Sequence, residues 1–208
     1  MSYLAAMALL AVACDSCPGC CRKSDEPVAP AAPPAVAPSA PQEALKKLAL
    51  SPSNAKVGFT GAKLVGSHDG EFKSFEGEIL HDGKNPAGAK VTVHVDMSSV
   101  VTDNPQLDTH LKSPDFFDVA QFPKAKFESV SIAQKAGEVY LVKGHLAIHG
   151  VKMVVSFDAA IRLEKGRVFM NAEFPINRKA FGIVYPGMPD NLIKDEVVLR
   201  LSIDAPLN

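Results

Sequence analysis

Asp108 and His110 stand two positions apart and are the residues of this chain best suited to chemistry. A carboxylate and an imidazole at this spacing can take part in acid–base chemistry or hold a polar head group. They can equally fix a short helix and its neighbouring loops by hydrogen bonds, and we favour that structural role. Arg178 is a third candidate, because a guanidinium suits phosphate or quinone oxygens, although an ordinary ion pair explains it equally well.

Motifs of the common enzyme classes are missing from the sequence. It contains no Gly-x-Ser-x-Gly elbow, no phosphate-binding P-loop and no dinucleotide fingerprint. Among the six histidines, His145 and His149 share one strand face, but strand rise separates them by about 13 Å, too far to ligate one ion. We therefore expect neither an enzyme nor a metal site, and no cofactor.

All four cysteines, Cys14, Cys17, Cys20 and Cys21, lie close together near the N-terminus. Thiolates at such spacing can share a metal ion or an iron–sulfur cluster. No second ligand cluster follows downstream, however, and an exported chain meets an oxidising compartment. A disulfide or an unpaired thiol is therefore the expected state of the last three.

The first 13 residues have the pattern of an export signal. The apolar run at 4–13 is too short to span a bilayer as a helix but suits the hydrophobic part of a signal peptide. Residues 11–14, Ala-Val-Ala-Cys, resemble a bacterial lipoprotein box, in which Cys14 becomes the acylated first residue. Ordinary cleavage after Ala13 is the alternative. We expect a periplasmic protein or a membrane-anchored lipoprotein.

Residues 14–53 differ in composition from the rest, and we assign them to a Cys-containing, Pro/Ala-rich linker. The Pro/Ala stretch at 27–41 favours disordered, extended polyproline II structure, and 42–50 could add one or two helical turns. The folded domain is predicted at 54–208. Because the net charge is −1 and no long basic run occurs, a nucleic-acid partner is not expected.

Eight segments of the predicted domain alternate apolar and polar residues with period two, as strands of an antiparallel sheet do. They are 56–65, 72–80, 91–97, 127–133, 140–148, 151–163, 168–176 and 197–205. Gly-containing turns separate most of them, which implies a sandwich or a closed barrel. Long strands with one apolar face favour the barrel, since closure removes the edges. A short helix fits only at 104–112.

Four motifs, in the same order along the chain, resemble the YceI-like family. They are Gly70-x-Phe72-x-x-Phe75-x-Gly77; Asp108-x-His110-Leu111-x-Ser113-x-Asp115-Phe116 with Phe122-Pro123-x-Ala125-x-Phe127; Gly144-x-Leu146-x-Ile148-His149-Gly150-Val151; and Asn177-Arg178-x-x-Phe181-Gly182-Ile183. The resemblance covers nearly all of 55–205. Two positions depart from the family pattern, which often has Arg where this chain has Leu107 and His about where it has Ala62.

This resemblance implies an extended, eight-stranded, lipocalin-like barrel that binds a polyisoprenoid or similar amphipathic lipid in an elongated cavity. The expected lining residues come from the apolar strand faces: Phe59, Phe72, Val91, Val93, Tyr140, Val142, Phe157 and Phe174. An eight-stranded barrel can hold one small ligand or be filled by its own side chains. For any single residue, core packing explains the pattern as well as ligand contact does.

Three functions follow from this interpretation. The first is an exported protein that binds an isoprenoid-type lipid, of quinone or polyprenyl type, and is held at a membrane by its N-terminal lipid. The second is an accessory protein of stress tolerance or electron transport with no stoichiometric ligand. The third and weakest is an enzyme acting on a bound lipid through Asp108 and His110. The oligomeric state is left open, a homodimer included.

Overall fold

Alternating strands joined by tight turns make up nearly the whole of the structure. A computed structural model describes residues 45–188 and 191–207, and the elements below refer to these. The strands are β1 (Lys46–Leu50), β2 (Ala55–Lys63), β3 (Ser67–Phe72), β4 (Phe75–His81), β5 (Lys90–Asp96), β6 (Val100–Thr102), β7 (Lys124–Ala136), β8 (Val139–Ile148), β9 (Val151–Glu164), β10 (Arg167–Asn177), β11 (Gly187–Met188) and β12 (Asn191–Pro206). One α-helix, α1 (Pro105–Lys112), follows β6, and 3₁₀ turns occupy Met97–Ser99 and Arg178–Phe181.

The strands form a single antiparallel sheet in the order β1-β4-β5-β7-β8-β9-β10-β12-β2-β3-β6, and β11 pairs with β12. Strands β3 and β4 lie near opposite ends of this order, yet only Lys73 and Ser74 separate them in the chain. Both residues of this connection form backbone hydrogen bonds: Lys73 N donates to Ser99 O at 3.2 Å, and Asp96 N donates to Ser74 O at 3.0 Å. The sheet therefore curls back on itself at the bend between β3 and β4, but among the described residues no pairing between its end strands β1 and β6 closes it into the expected barrel.

The predicted class, an all-β antiparallel protein with one short helix, is confirmed. The predicted count of eight strands is wrong, because the described residues form twelve. The four additional strands, β1, β3, β6 and β11, have two to six residues each and give too few alternations to be recognised. Strand β1 lies in the segment assigned to the linker and is extended along β4, not helical.

The helix α1 forms where the sequence predicted it. Asn104 caps its N-terminus by accepting a hydrogen bond from Gln106 N at 2.9 Å, and Pro105 occupies the first helical position, where no N–H is needed. Its last turn ends at Ser113, whose N–H donates to His110 O. Leu111 is the buried residue of the helix and anchors it on the sheet interior.

The inner face of the sheet is apolar, as the alternation predicted. In β8, Tyr140, Val142, Leu146 and Ile148 are all buried. In β9 the pattern holds only for the second half, since Val151 and Met153 are exposed. The reason lies in the strand pairing. Among the described residues, β10 pairs with β9 only from Ala159 onward, so the first half of β9 has a paired strand on one side only, β8. The predicted signal peptide, the Pro/Ala stretch and all four cysteines lie outside the described residues.

Candidate functional site

Two apolar cavities lie inside the curled sheet. The first, here called the Phe157 cavity, has a volume of about 140 Å³ and contains the stacked rings of Phe157 and Phe174, whose centroids are 3.9 Å apart. The second, the Phe59 cavity, has a volume of about 160 Å³. One water needs roughly 10–15 Å³ of such space, so each cavity is about ten times larger than a water site.

The two cavities adjoin each other. Five apolar residues line both of them: Val57, Val95, Ala125, Leu146 and Leu199. These residues come from β2, β5, β7, β8 and β12 and therefore surround the interior from several sides. The two cavities are thus adjacent, and these five apolar side chains, here called the waist, lie between them.

Seven of the eight predicted lining residues face this space. Val91, Val93, Val142, Phe157 and Phe174 line the Phe157 cavity, and Phe59 and Phe72 line the Phe59 cavity. Tyr140 is buried but lines neither cavity. Whether any of them contacts a ligand stays a prediction.

Sequence reasoning missed the residues that the helix and its following turn contribute to the Phe59 cavity. Leu107, Leu111, Phe116 and Phe117 all line it. The ring of Phe117 lies 6.4 Å from that of Phe59 and 6.1 Å from that of Phe72, measured between centroids. The adjacent Phe116 and Phe117 were the available signal, but period-two alternation says nothing about residues outside strands.

The two positions at which the chain departs from the family pattern both lie on the Phe59 cavity. Leu107 and Ala62 line it and present apolar side chains there. His68 also borders this cavity, but its Nδ1 is 2.8 Å from Asp103 Oδ1 and so already has a partner. Apart from Arg178, His68 and the half-buried Lys63, the residues that line this end of the interior are apolar.

Arg178 is deeply buried, with 4% of its surface exposed. Its Nε donates to Lys194 O at 3.0 Å and its Nη1 to Ile183 O at 2.9 Å. Nη2 lies 3.3 Å from Ile193 O and 3.4 Å from Asp195 Oδ1. The guanidinium therefore ties the segments around Ile183 and Ile193 together, an arrangement that leaves little capacity for a ligand.

Asp108 and His110 also have partners within the fold. Asp108 Oδ1 accepts hydrogen bonds from the backbone N–H and the hydroxyl of Thr102, both at 2.7 Å, and so ties α1 to β6. His110 Nε2 is 3.1 Å from Asp115 Oδ2, and its ring packs edge-on against Phe116 and Tyr185. These contacts favour the helix-fixing role, and the head-group role stays a prediction.

His81 is a site residue that the sequence interpretation did not single out. It is the last residue of β4, is 6% exposed and lines the Phe157 cavity. The alternation of Phe75, Ile79 and His81 on one face of β4 was the signal, but the predicted strand ended at residue 80. Neither ring nitrogen has a hydrogen-bond partner among the described residues.

The turn after His81 covers the same end of the interior. Asp82 Oδ1 accepts hydrogen bonds from the N–H groups of Asn85 at 2.9 Å and Lys84 at 2.8 Å. These bonds, that from Asn85 first, hold the pKa of Asp82 below its ordinary value. The carboxylate of Asp82 thus stabilises the turn that follows His81.

Neither a metal cluster nor a membrane-spanning helix is found within residues 45–188 and 191–207. No three His, Cys, Asp or Glu side chains gather there in a way that could hold a metal ion. No helix there is long and apolar enough to cross a membrane.

Taken together, the curled antiparallel sheet and its long apolar interior define a β-sheet protein of the kind that can enclose an apolar molecule. The sequence profile described as "YceI-like domain" matches residues 48–205, and the chain belongs to that family. Protein YceI of Salmonella arizonae is 39% identical over 142 residues, which cover 65% of this chain and 72% of that protein. A UPF0312 protein of Photorhabdus laumondii is 39% identical over 92 residues, 44% of this chain and only 47% of the relative's own length.

Solved structures share the fold at lower sequence identity. BcnA of Burkholderia cenocepacia superposes with a TM-score of 0.67 at 23% identity, covering 73% of this chain and 96% of that one. A polyisoprenoid binding domain from Saccharophagus degradans, implicated in plant cell wall breakdown, gives a TM-score of 0.62 at 16% identity, covering 79% and 99%. At these identities the likeness establishes the fold.

Proposed function

We propose that this protein binds a long-chain isoprenoid or similar amphipathic lipid, of quinone or polyprenyl type, in a lipocalin-like barrel formed by the curled sheet. The observation that carries the proposal is the pair of adjoining apolar cavities, which together run from the Phe157–Phe174 stack to α1. The Saccharophagus neighbour, which is described as a polyisoprenoid binding domain, supports the ligand class.

The energetics of an apolar interior favour a long hydrocarbon chain. Moving each CH₂ group out of water contributes about 0.8 kcal/mol, so a five-carbon isoprene unit contributes about 4 kcal/mol before its ordering cost is subtracted. A narrow, elongated space suits such a chain better than a compact, bulky ligand. The waist between the cavities consists of apolar side chains, which a flexible chain can pass.

In the same proposal the protein is exported and not an enzyme. Export and anchoring by a lipid on Cys14 are supported by the N-terminal sequence pattern. The absence of a catalytic role is supported by Asp108 and Arg178, whose polar atoms hold neighbouring segments of the fold.

The decisive experiment is to purify the full chain from its own host without detergent exchange and to extract and identify bound lipid by mass spectrometry. We expect one isoprenoid-type lipid in a stoichiometric amount. After its bound lipid is removed, the protein should take up the same lipid again from the extract. If no lipid copurifies and the stripped protein takes none up, the proposal fails in favour of an accessory protein without a ligand.

A further inference from the structure

His81 is exceptional among the polar residues of the interior. Among the described residues, its Nδ1 and Nε2 are the only buried side-chain nitrogen or oxygen atoms that lack a hydrogen-bond partner. Buried polar groups without partners are rare in proteins because desolvation is not compensated. The position itself requires no imidazole, since an apolar ring or an aliphatic side chain would satisfy the inner face of β4.

Within residues 45–188 and 191–207, no side chain or backbone group around His81 bonds to its ring. The neighbouring inner residues of the Phe157 cavity are apolar: Ile79 on β4 and its pairing partners Leu48 on β1 and Val91 on β5. The nearby carboxylate of Asp82 bonds to the backbone of its own turn. An imidazole in this setting presents both a donor and an acceptor to whatever enters the cavity.

At the opposite end of the interior, Arg178 and His68 already have hydrogen-bond partners within the fold. Arg178 uses its donors on backbone carbonyls and Asp195, and His68 is engaged by Asp103. Leu107 and Ala62 are apolar. Among the described residues, the buried polar atoms that a ligand could still bond to are thus those of His81, and the α1 end adds only the half-buried Lys63.

We propose that His81 binds an uncharged oxygen of the ligand, a hydroxyl or a carbonyl, and so fixes the ligand's direction. This inference rests on the proposed function and deepens it. The polar head lies at His81, and the hydrocarbon chain runs past the Phe157–Phe174 stack and through the waist toward Phe59. A neutral head fits because burying an anion requires a paired cation. The side chains of Lys56 and Lys84 at this cavity are exposed, and Lys126 is paired with Glu128 at 2.6 Å.

The test compares three probes with one isoprenoid chain: geranylgeraniol, the corresponding hydrocarbon without the hydroxyl, and geranylgeranyl diphosphate. Affinities of the full-length protein are measured by competition in native mass spectrometry. For the unaltered protein we expect the alcohol to bind about tenfold more tightly than the hydrocarbon, which corresponds to about 1.4 kcal/mol. The diphosphate should gain no such advantage.

The variant His81→Phe keeps an aromatic ring and removes both nitrogens. It should lower the affinity for the alcohol to that for the hydrocarbon and leave hydrocarbon binding intact. Tyr140→Phe is the matched control, because it removes a polar atom from a buried ring that lines neither cavity; it should keep the preference for the alcohol. If His81→Phe does not fold, the imidazole ¹⁵N resonances of His81 in the unaltered protein must shift with the alcohol and not with the hydrocarbon.

The inference is overturned if the unaltered protein shows no preference for the alcohol, if His81→Phe retains that preference, or if the diphosphate binds most tightly. In each of these cases the hydrocarbon still binds, so the proposed function survives. If none of the three probes binds, the proposed function fails together with the inference.

Discussion

At the scale of single residues, polar side chains inside this protein divide by whether the fold already uses them. Arg178 donates hydrogen bonds to backbone carbonyls, and Asp108 accepts hydrogen bonds from the N–H and hydroxyl of Thr102. Among the described residues, His81 has no hydrogen-bond partner. Types and spacing in the sequence pointed to the first two and not to the third. The hydrogen-bond partners of each side chain are known only from the fold, and they make His81 the better candidate for contact with a ligand.

Replacing Phe157 by Trp tests whether the apolar interior is the binding space. Phe157 is buried against Phe174, and a larger ring must project into the Phe157 cavity. We expect lipid loading to fall to background and the free energy of unfolding to drop by about 1–3 kcal/mol from overpacking. Bound lipid is measured by extraction and mass spectrometry, and stability by denaturant unfolding.

The matched control is Phe169→Trp on β10, where the ring is only half-buried, lines neither cavity and lies under Arg162. It should load lipid as the unaltered protein does. Full loading of Phe157→Trp would show that the ligand does not occupy this part of the interior.

Arg178 should prove essential for stability. In Arg178→Met the carbonyls of Ile183 and Lys194 lose their donor, and Asp195 loses one of its two cationic partners. We expect a loss of about 1–3 kcal/mol in denaturant unfolding, because the substitution leaves buried carbonyl groups without a donor.

The neighbouring Lys179→Met also removes a partner of Asp195, but from an exposed side chain, and should cost less than about 1 kcal/mol. Equal effects of the two substitutions would contradict the structural role assigned to Arg178.

At the scale of elements, alternation predicted the strands that have enough residues to show it. The eight predicted segments correspond to β2, β4, β5, β7, β8, β9, β10 and β12, and α1 was predicted within a residue. Strand β6 has three residues and β11 has two, so neither can display a period. Strand β1 follows a Pro-rich stretch and forms by pairing with β4, a contact between segments far apart in sequence. The two cavities and the waist between them could not be predicted from the sequence either, because they depend on how several strands face one another.

Strand β3 is held to its neighbours by a charged cluster whose effect should depend on pH. Asp69 accepts hydrogen bonds from Thr60 Oγ1 at 2.7 Å and from Arg200 Nη2 at 2.5 Å. The bond from Thr60, and then that from Arg200, lower the pKa of Asp69 from its ordinary value of 3.8. A lowered pKa in the folded state means that this stabilisation is complete above the unfolded value and is lost as the pH falls through the folded value.

We therefore expect Asp69→Asn to be slightly less stable than the unaltered protein at neutral pH, by less than about 1 kcal/mol because the pair is exposed and screened. The difference should shrink as the pH falls below about 4 and should be smaller at high salt. Urea unfolding of both proteins across that pH range measures it. A difference that grows toward acid would mean that Asp69 is not stabilised as a carboxylate.

At the scale of the whole molecule, the described fold and the segment before it perform separate tasks in the proposed function. The interior from His81 to α1 encloses the ligand with residues drawn from nearly every strand, so binding requires the complete sheet. In the proposed function the N-terminal region attaches the protein to a membrane, and we predict that this attachment can be removed without loss of lipid binding.

Cys14→Ala is the substitution that makes this separation measurable. If Cys14 carries the lipid, its replacement should move the protein from the membrane fraction of host cells to the soluble fraction, because an acyl anchor is the attachment that the sequence predicts. We expect lipid loading and thermal unfolding to stay unchanged, since Cys14 lies outside residues 48–205, which match the YceI-like domain. Cys17→Ala, three positions away, is the matched control and should remain with the membrane.

Two outcomes would contradict this prediction. Membrane association that persists in Cys14→Ala through high-salt and carbonate washes would assign the tether to another part of the chain. A loss of membrane association in both variants would assign it to the cysteine cluster as a whole.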